Sequence, residues 1–175
     1  MKNSFAYSLS EAIATSSGLY IAREDYCIAK DITLADGTTF KKGKKFFTLR
    51  ELLLLREAGE FPKGWDIPNG CELIDIVREF GEKDGARHPH YLIASLGLEL
   101  KGTPANGDNY DMYNSDPANS CHCIIGSNNV GYYLGISVDS TDAYMIFLND
   151  YEEGLYVARC KDTAIGSVRL VARGF

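Results

Sequence analysis

The order of apolar and polar positions divides the chain into a helix-rich first half and a β-rich second half. Ser8-Leu9-Ser10-Glu11 has the serine and glutamate of a capping box, which predicts a short helix over residues 9–15. Residues 26–34 carry strand-forming side chains, Asp36-Gly37 supplies a turn, and Thr38-Thr39-Phe40 resumes the strand pattern. That sequence predicts a β-hairpin. Thr48-Leu49-Arg50-Glu51 is a second capping box, opening a leucine-rich helix that Gly59 can close in the left-handed conformation. A third helix starts at Asn69-Gly70-Cys71-Glu72. Leu73, Ile74, Ile76, Val77 and Phe80 form its apolar stripe, and Gly81 ends it.

The second half has a different grain. Residues 101–129 are rich in Gly, Asn, Asp, Ser and Pro, with Tyr110 and Tyr113 among them. A connection of that length without its own structure is uncommon in a compact domain and is often functional. Strand-like stretches follow at residues 131–137, 143–148, 154–160 and 166–172. Polar turns separate them, Val138-Asp139-Ser140-Thr141-Asp142 and Asn149-Asp150-Tyr151-Glu152-Glu153 being the clearest. Helices first, then a loop and an antiparallel meander, define the α+β class. No internal repeat is present.

Composition narrows the partners. With 45% hydrophobic and 24% charged residues, the 175-residue chain has enough apolar material for a core of one domain. Lys and Arg total 18 against 24 Asp and Glu, a net charge of −6. Such a balance disfavours nucleic acid and anionic membrane as partners. The longest apolar run, Leu52-Leu53-Leu54-Leu55, falls far short of the ~20 residues of a membrane helix, so no membrane insertion is expected. The N-terminus lacks the ~7–15-residue apolar region of a secretion signal. Five cysteines, an odd number, do not resemble a disulfide framework. Synthesis in the cytoplasm is therefore expected. The place of action stays open, because phage structural proteins are made there and released by lysis.

Gly64-Trp65-Asp66-Ile67-Pro68-Asn69, followed by Glu72-Leu73, resembles the "G-W-x-hydrophobic-P-T, then E-L" signature of a C-type-lectin-like domain family. That family recurs as a major paralogous domain in Fibrobacter and Bacteroidetes proteins. Leu96-Gly97-Leu98-Glu99-Leu100-Lys101-Gly102 is similar to its "L-G-L-x-L-x-G" strand, and Gly131-Tyr132-Tyr133-Leu134-Gly135-Ile136-Ser137 stands where it has "G-Y-Y-W-S-S". Ala143-Tyr144-Met145-Ile146-Phe147 is similar to "A-Y-x-x-x-F" with the Phe one position early, and Gly166-Ser167-Val168-Arg169-Leu170-Val171 to the terminal "S-V-R-L-V". Leu134 replaces the family's tryptophan and Asn69 its threonine, the second change being harmless because Asn caps helices as well as Thr. The likeness spans residues 60–175 and leaves 1–59 as an N-terminal helix and hairpin segment for anchoring or oligomerisation. It implies two helices flanking a small antiparallel sheet, termini close together, and a long irregular loop that carries binding.

Ser115-Asp116-Pro117 with Asn119, and Phe147-Leu148-Asn149-Asp150, offer oxygens of the kind Ca²⁺ takes, but both are also ordinary turn sequences. His88-Pro89-His90 and Cys121-His122-Cys123 offer zinc-type ligands, yet C-x-C is not the usual C-x₂-C spacing and buried thiols act as small apolar residues. No metal or other cofactor is expected. Gly135-Ile136-Ser137-Val138-Asp139 lacks the second glycine of a nucleophile elbow. A Cys–His pair from Cys121 or Cys123 with His88 or His90 stays open, because separation along the chain says nothing about separation in space. Lys41-Lys42-Gly43-Lys44-Lys45 is the one basic run and suits a guarded strand edge. Glu57 and Glu60 read as solvated surface.

These readings converge on a non-catalytic recognition or structural module of C-type-lectin-like fold. Residues 103–129 are expected to form its variable surface for a protein or carbohydrate partner. Tyr110, Tyr113, Asn114, Asp116 and Asn119 supply stacking area and adaptable hydrogen bonds there. Trp65, Pro68 and Arg169 are expected to be structural. Trp65 would pack beneath the third helix, and Arg169 would meet an acidic side chain or carbonyls of the long loop. The alternatives are a phage virion component, a fibre or capsid decoration assembled as a homo-oligomer such as a trimer, and a metal- or Cys-dependent enzyme.

Overall fold

The computed structural model describes residues 7–98, 130–136, 143–149, 154–160 and 162–173. Its first elements are two short strands, β1 (Ile13–Ala14) and β2 (Leu19–Ile21), paired antiparallel with Ile13 opposite Ile21. The helix expected over 9–15 is absent. A single turn survives of it, in which the Ser8 carbonyl accepts from the amides of Glu11 and Ala12. Leu9 is exposed, so a helix here would have no core face to bury, and the strand pairing takes the segment instead.

The expected hairpin forms between β3 (Ile32–Thr33) and β4 (Thr39–Phe40). Gly37 sits at φ 89° and donates to the Leu34 carbonyl, while Asp36 Oδ1 accepts from the Thr38 amide. The lysine run beyond it is engaged locally. Lys41 pairs with Asp31, and Lys44 pairs with Glu51 and lies over the Phe47 ring. Strand β5 (Phe47–Thr48) leads into helix α1 (Leu49–Glu57), where Thr48 and Glu51 form the reciprocal capping box. At its far end the Gly59 amide donates to Arg56 and the Glu60 amide to Leu55, a Schellman closure.

Helix α2 (Gly70–Gly81) starts on the Asn69–Glu72 capping box. It buries Leu73, Ile76 and Val77, while Ile74 faces outward despite its place in the apolar stripe. Glycine stands at 81, the last residue of the helix, for a reason of space. A Cβ there would stand 2.6 Å from Leu155 Cδ2. A tight hairpin, β6 (Glu82–Lys83) and β7 (Ala86–Arg87), turns at Asp84-Gly85 with both residues at positive φ. Helix α3 (Pro89–Leu96) follows, with proline at its first turn and Gly97 at φ 62° as its cap. Residues 96–97 therefore end a helix instead of starting the strand expected there; residues 99–102 lie outside the described ones.

Three of the four expected strands form the meander β8 (Val130–Ile136), β9 (Ala143–Asn149) and β10 (Gly154–Cys160), with β9 central. The fourth stretch is divided. β11 (Ile165–Gly166) pairs with β5, and β12 (Val171–Arg173) pairs with β2 to complete the sheet β1-β2-β12. The described fold is thus α+β, three helices with several small antiparallel sheets and no barrel.

Two apolar clusters hold these elements. One gathers Tyr26, Phe40, Phe47, Leu52, Leu55 and Trp65 with Met145, Val168 and Leu170. The other gathers Leu73, Val77, Leu92 and Leu96 with Tyr133, Ile146, Leu155 and Val171. β9 serves both by alternation, Met145 to the first and Ile146 and Leu148 to the second. The described residues of 1–59 and those of 60–175 share the first cluster and the sheet β1-β2-β12. Trp65 belongs with α1 and the N-terminal stretch, not beneath α2. Its Nε1 donates to the Tyr7 carbonyl at 2.9 Å and its ring meets Tyr7 edge-on at 5.4 Å.

Candidate functional site

Alternation in the last stretch directs Val168 and Leu170 into the first cluster and turns Arg169 the other way. Arg169 is 8% exposed, so its guanidinium needs acceptors on all sides. They are present. Nε donates to Asp25 Oδ1 at 2.6 Å, one terminal nitrogen to the carbonyls of Leu96 (2.8 Å) and Ala22 (3.1 Å), and the other to Gly97 (3.3 Å). The acceptors at Leu96 and Gly97 are the last carbonyls of α3, which the helix leaves without internal donors. A cation at that end also complements the helix dipole. The partner kinds expected for Arg169, an acid and carbonyls, are those found. The carbonyls described belong to a helix end and to Ala22, whereas the long loop was the expected source.

Asp25 has a second task. Its Oδ2 accepts the Tyr133 hydroxyl at 3.3 Å. Tyr133 is buried in β8, and an isolated parallel bridge joins its backbone to Ser167. The Asp25–Arg169 pair therefore links the end of α3, through Arg169, with the first strand of the meander, through Asp25, and with the approach to β12. Leu98, whose amide donates to Ile93, is the last described residue before the 99–129 segment, and β8 is the first element after it. The two flanks of that segment meet at Asp25 and Arg169.

The rest of the site is fixed by packing. Pro68 is buried, and its carbonyl would be 2.8 Å from any Cβ at Gly135, with Leu73 Cδ1 at 2.6 Å. Glycine at 135 is what lets β8 lie directly on the start of α2. Asp66 and Val171 exchange both backbone hydrogen bonds at 2.8 Å, so the final strand closes on the Trp65 region as expected. Arg173 then grips both Glu72 oxygens and Asp66 Oδ2.

Tyr110, Tyr113, Asn114, Asp116 and Asn119 lie outside the described residues, as do Cys121, His122, Cys123 and Asp150. His88 and His90 stand at the start of α3 with ring centroids 3.6 Å apart. Among the described residues, no three His, Cys, Asp or Glu side chains converge as a metal cluster requires. Cys27 and Cys71 are exposed thiols. Cys160 is partly buried, and burial, then Asp162, pushes its thiol up to about 12. Asp25 and Tyr133 escaped the sequence reading because no local pattern marks a residue whose partner is 144 or 108 positions away.

No protein-family model matches this chain, and no curated protein or solved structure matches it.

Proposed function

We propose that this chain is a non-catalytic recognition module of C-type-lectin-like architecture, with residues 103–129 as the surface that binds a protein or glycan. The observation that carries this reading is the junction at Asp25 and Arg169. A long polar segment tied at both flanks to one buried ion pair has the arrangement of a binding loop on a rigid scaffold. Two further features support the architecture. The pairing of β2 with β12 brings strands near the two ends of the chain together. Helices α2 and α3 pack with strands of the meander in the second cluster, as the family resemblance implies.

The binding role assigns the contacts to Tyr110, Tyr113, Asn114, Asp116 and Asn119, with tyrosine rings as anchors and the polar side chains as hydrogen-bonding groups. Replacing all five by alanine tests it. Wild type is screened against glycan arrays and surface-displayed proteins, and each retained partner is remeasured with the variant. Affinity is expected to fall by about tenfold or more, since removing contact anchors costs upwards of ~1.4 kcal/mol. The thermal midpoint should stay unchanged. Undiminished binding of every retained partner contradicts the assignment.

A further inference from the structure

The meander has one open side. β10 pairs with β9 along all seven of its residues, and among the described residues its outer edge has no partner. Neighbouring edges are occupied or short. The outer side of β8 is bridged to Ser167 at Tyr133, Val171 of β12 exchanges hydrogen bonds with Asp66, and β1 is two residues long. An outer edge presents a row of backbone donors and acceptors that another strand can take up, and folded proteins guard such edges with lysines, prolines or bulges. β10 carries none of these. Its ladder to β9 is unbroken, it contains no proline or lysine, and its one charged residue, Arg159, stands next to its end.

The flanking surface is apolar. By alternation Leu155, Val157 and Arg159 share the face that carries α2. The helix crosses this face obliquely. It starts over β8 and β9, where Gly135 lies against Leu73 and Gly70 against Tyr144, and ends over β10, where Gly81 lies against Leu155. The far end of β10 is left open beside it, with Val157 half-buried and Arg159 exposed, and Ile74 of α2 is 37% exposed. This strand is also complementary to itself. Set antiparallel to a second copy, its one register that pairs all seven residues puts Val157 opposite Val157. Arg159 then stands opposite Leu155 of the other copy, so no two like charges face each other across the pair. The end of α2 lies on that Leu155, and a cation arriving there meets the negative end of the helix dipole. Charge thus favours the register that length selects.

We propose that the outer edge of β10 binds a second copy of this chain, joining two three-stranded meanders into one antiparallel sheet about a two-fold axis at Val157.

Light scattering on the reduced protein at micromolar concentration tests this, and twice the chain mass is expected for wild type. Val157→Lys sets two ammonium groups against each other at the axis and should give the mass of a single chain, with circular dichroism reporting that the fold is kept. Val157→Cys provides an arm that does not depend on a lysine being tolerated at a half-buried position. Opposed residues of an antiparallel pair have Cα atoms ~4.5–5.5 Å apart, within the ~4.4–6.8 Å that a disulfide spans. Mild oxidation with copper phenanthroline should therefore convert most of Val157→Cys to a reducible dimer on a denaturing gel. Wild type, with its five native cysteines, and Thr33→Cys, on the β3–β4 hairpin, should stay largely single chains under the same oxidation. Three results would each overturn the proposal: a single-chain mass for wild type across the micromolar range, a folded Val157→Lys that remains dimeric, or Val157→Cys cross-linking no faster than Thr33→Cys.

Discussion

Asp25→Ala is expected to destabilise the protein by about 3 kcal/mol, read as a shift of the urea midpoint. Removing one member of a buried ion pair costs ~3–5 kcal/mol because the other charge is left without its counter-ion. Arg169 is the member left behind, and it is the more buried of the two, its side chain 8% exposed against 25% for Asp25. The carbonyls of Ala22, Leu96 and Gly97 still accept from it, which places the loss at the lower end of that range. The hydrogen bond from the Tyr133 hydroxyl to Asp25 is lost in the same step. Asp25→Asn keeps an oxygen toward Arg169 and should cost clearly less. A loss below ~0.5 kcal/mol for Asp25→Ala, typical of surface substitutions, would mean that the junction does not hold the fold.

Trp65→Ala should cost about 3–5 kcal/mol, the range for truncating a large buried aromatic side chain. The residue is 7% exposed within the cluster built by α1, β5 and the last stretch of chain. Losing it empties the space between that cluster and Tyr7 and removes the indole hydrogen bond to the Tyr7 carbonyl. Trp65→Phe retains much of the ring volume and should lose less. Equilibrium unfolding of both variants checks the order, and equal stability of Trp65→Ala and wild type would contradict the packing described.

Much of the local structure was legible because local chemistry decided it. The capping boxes at Thr48 and Asn69 become helix starts because apolar faces follow them, Leu49, Leu52 and Leu55 in one case and Leu73, Ile76 and Val77 in the other. The same signature at Ser8 has no such face behind it, and Ile13 pairs with Ile21 instead. Asp36-Gly37 gave its hairpin away, and Asp84-Gly85 carries the same turn signal for β6 and β7. Pro89 and Gly97 bracket α3 as start and stop, a signal masked by the strand motif read from Leu96 onward. Long-range pairing was less legible. The alternation of Val168, Arg169 and Leu170 shows that Arg169 must find acceptors, but only the fold brings Asp25 to it. Likewise, the tryptophan at 65 reads as buried, while which helix it packs against depends on how the N-terminal stretch returns over it.

Native-state hydrogen exchange in wild type and Asp25→Asn tests most directly whether one junction fixes both flanks of the 99–129 segment. The amides to follow are Leu98, bonded to Ile93, and those of β8, with the α1 amides as an internal reference. In Asp25→Asn the protection of Leu98 and of β8 is expected to fall together by a common factor while α1 keeps its own. Loss at one flank with full protection at the other, or an equal fall in α1, would contradict it.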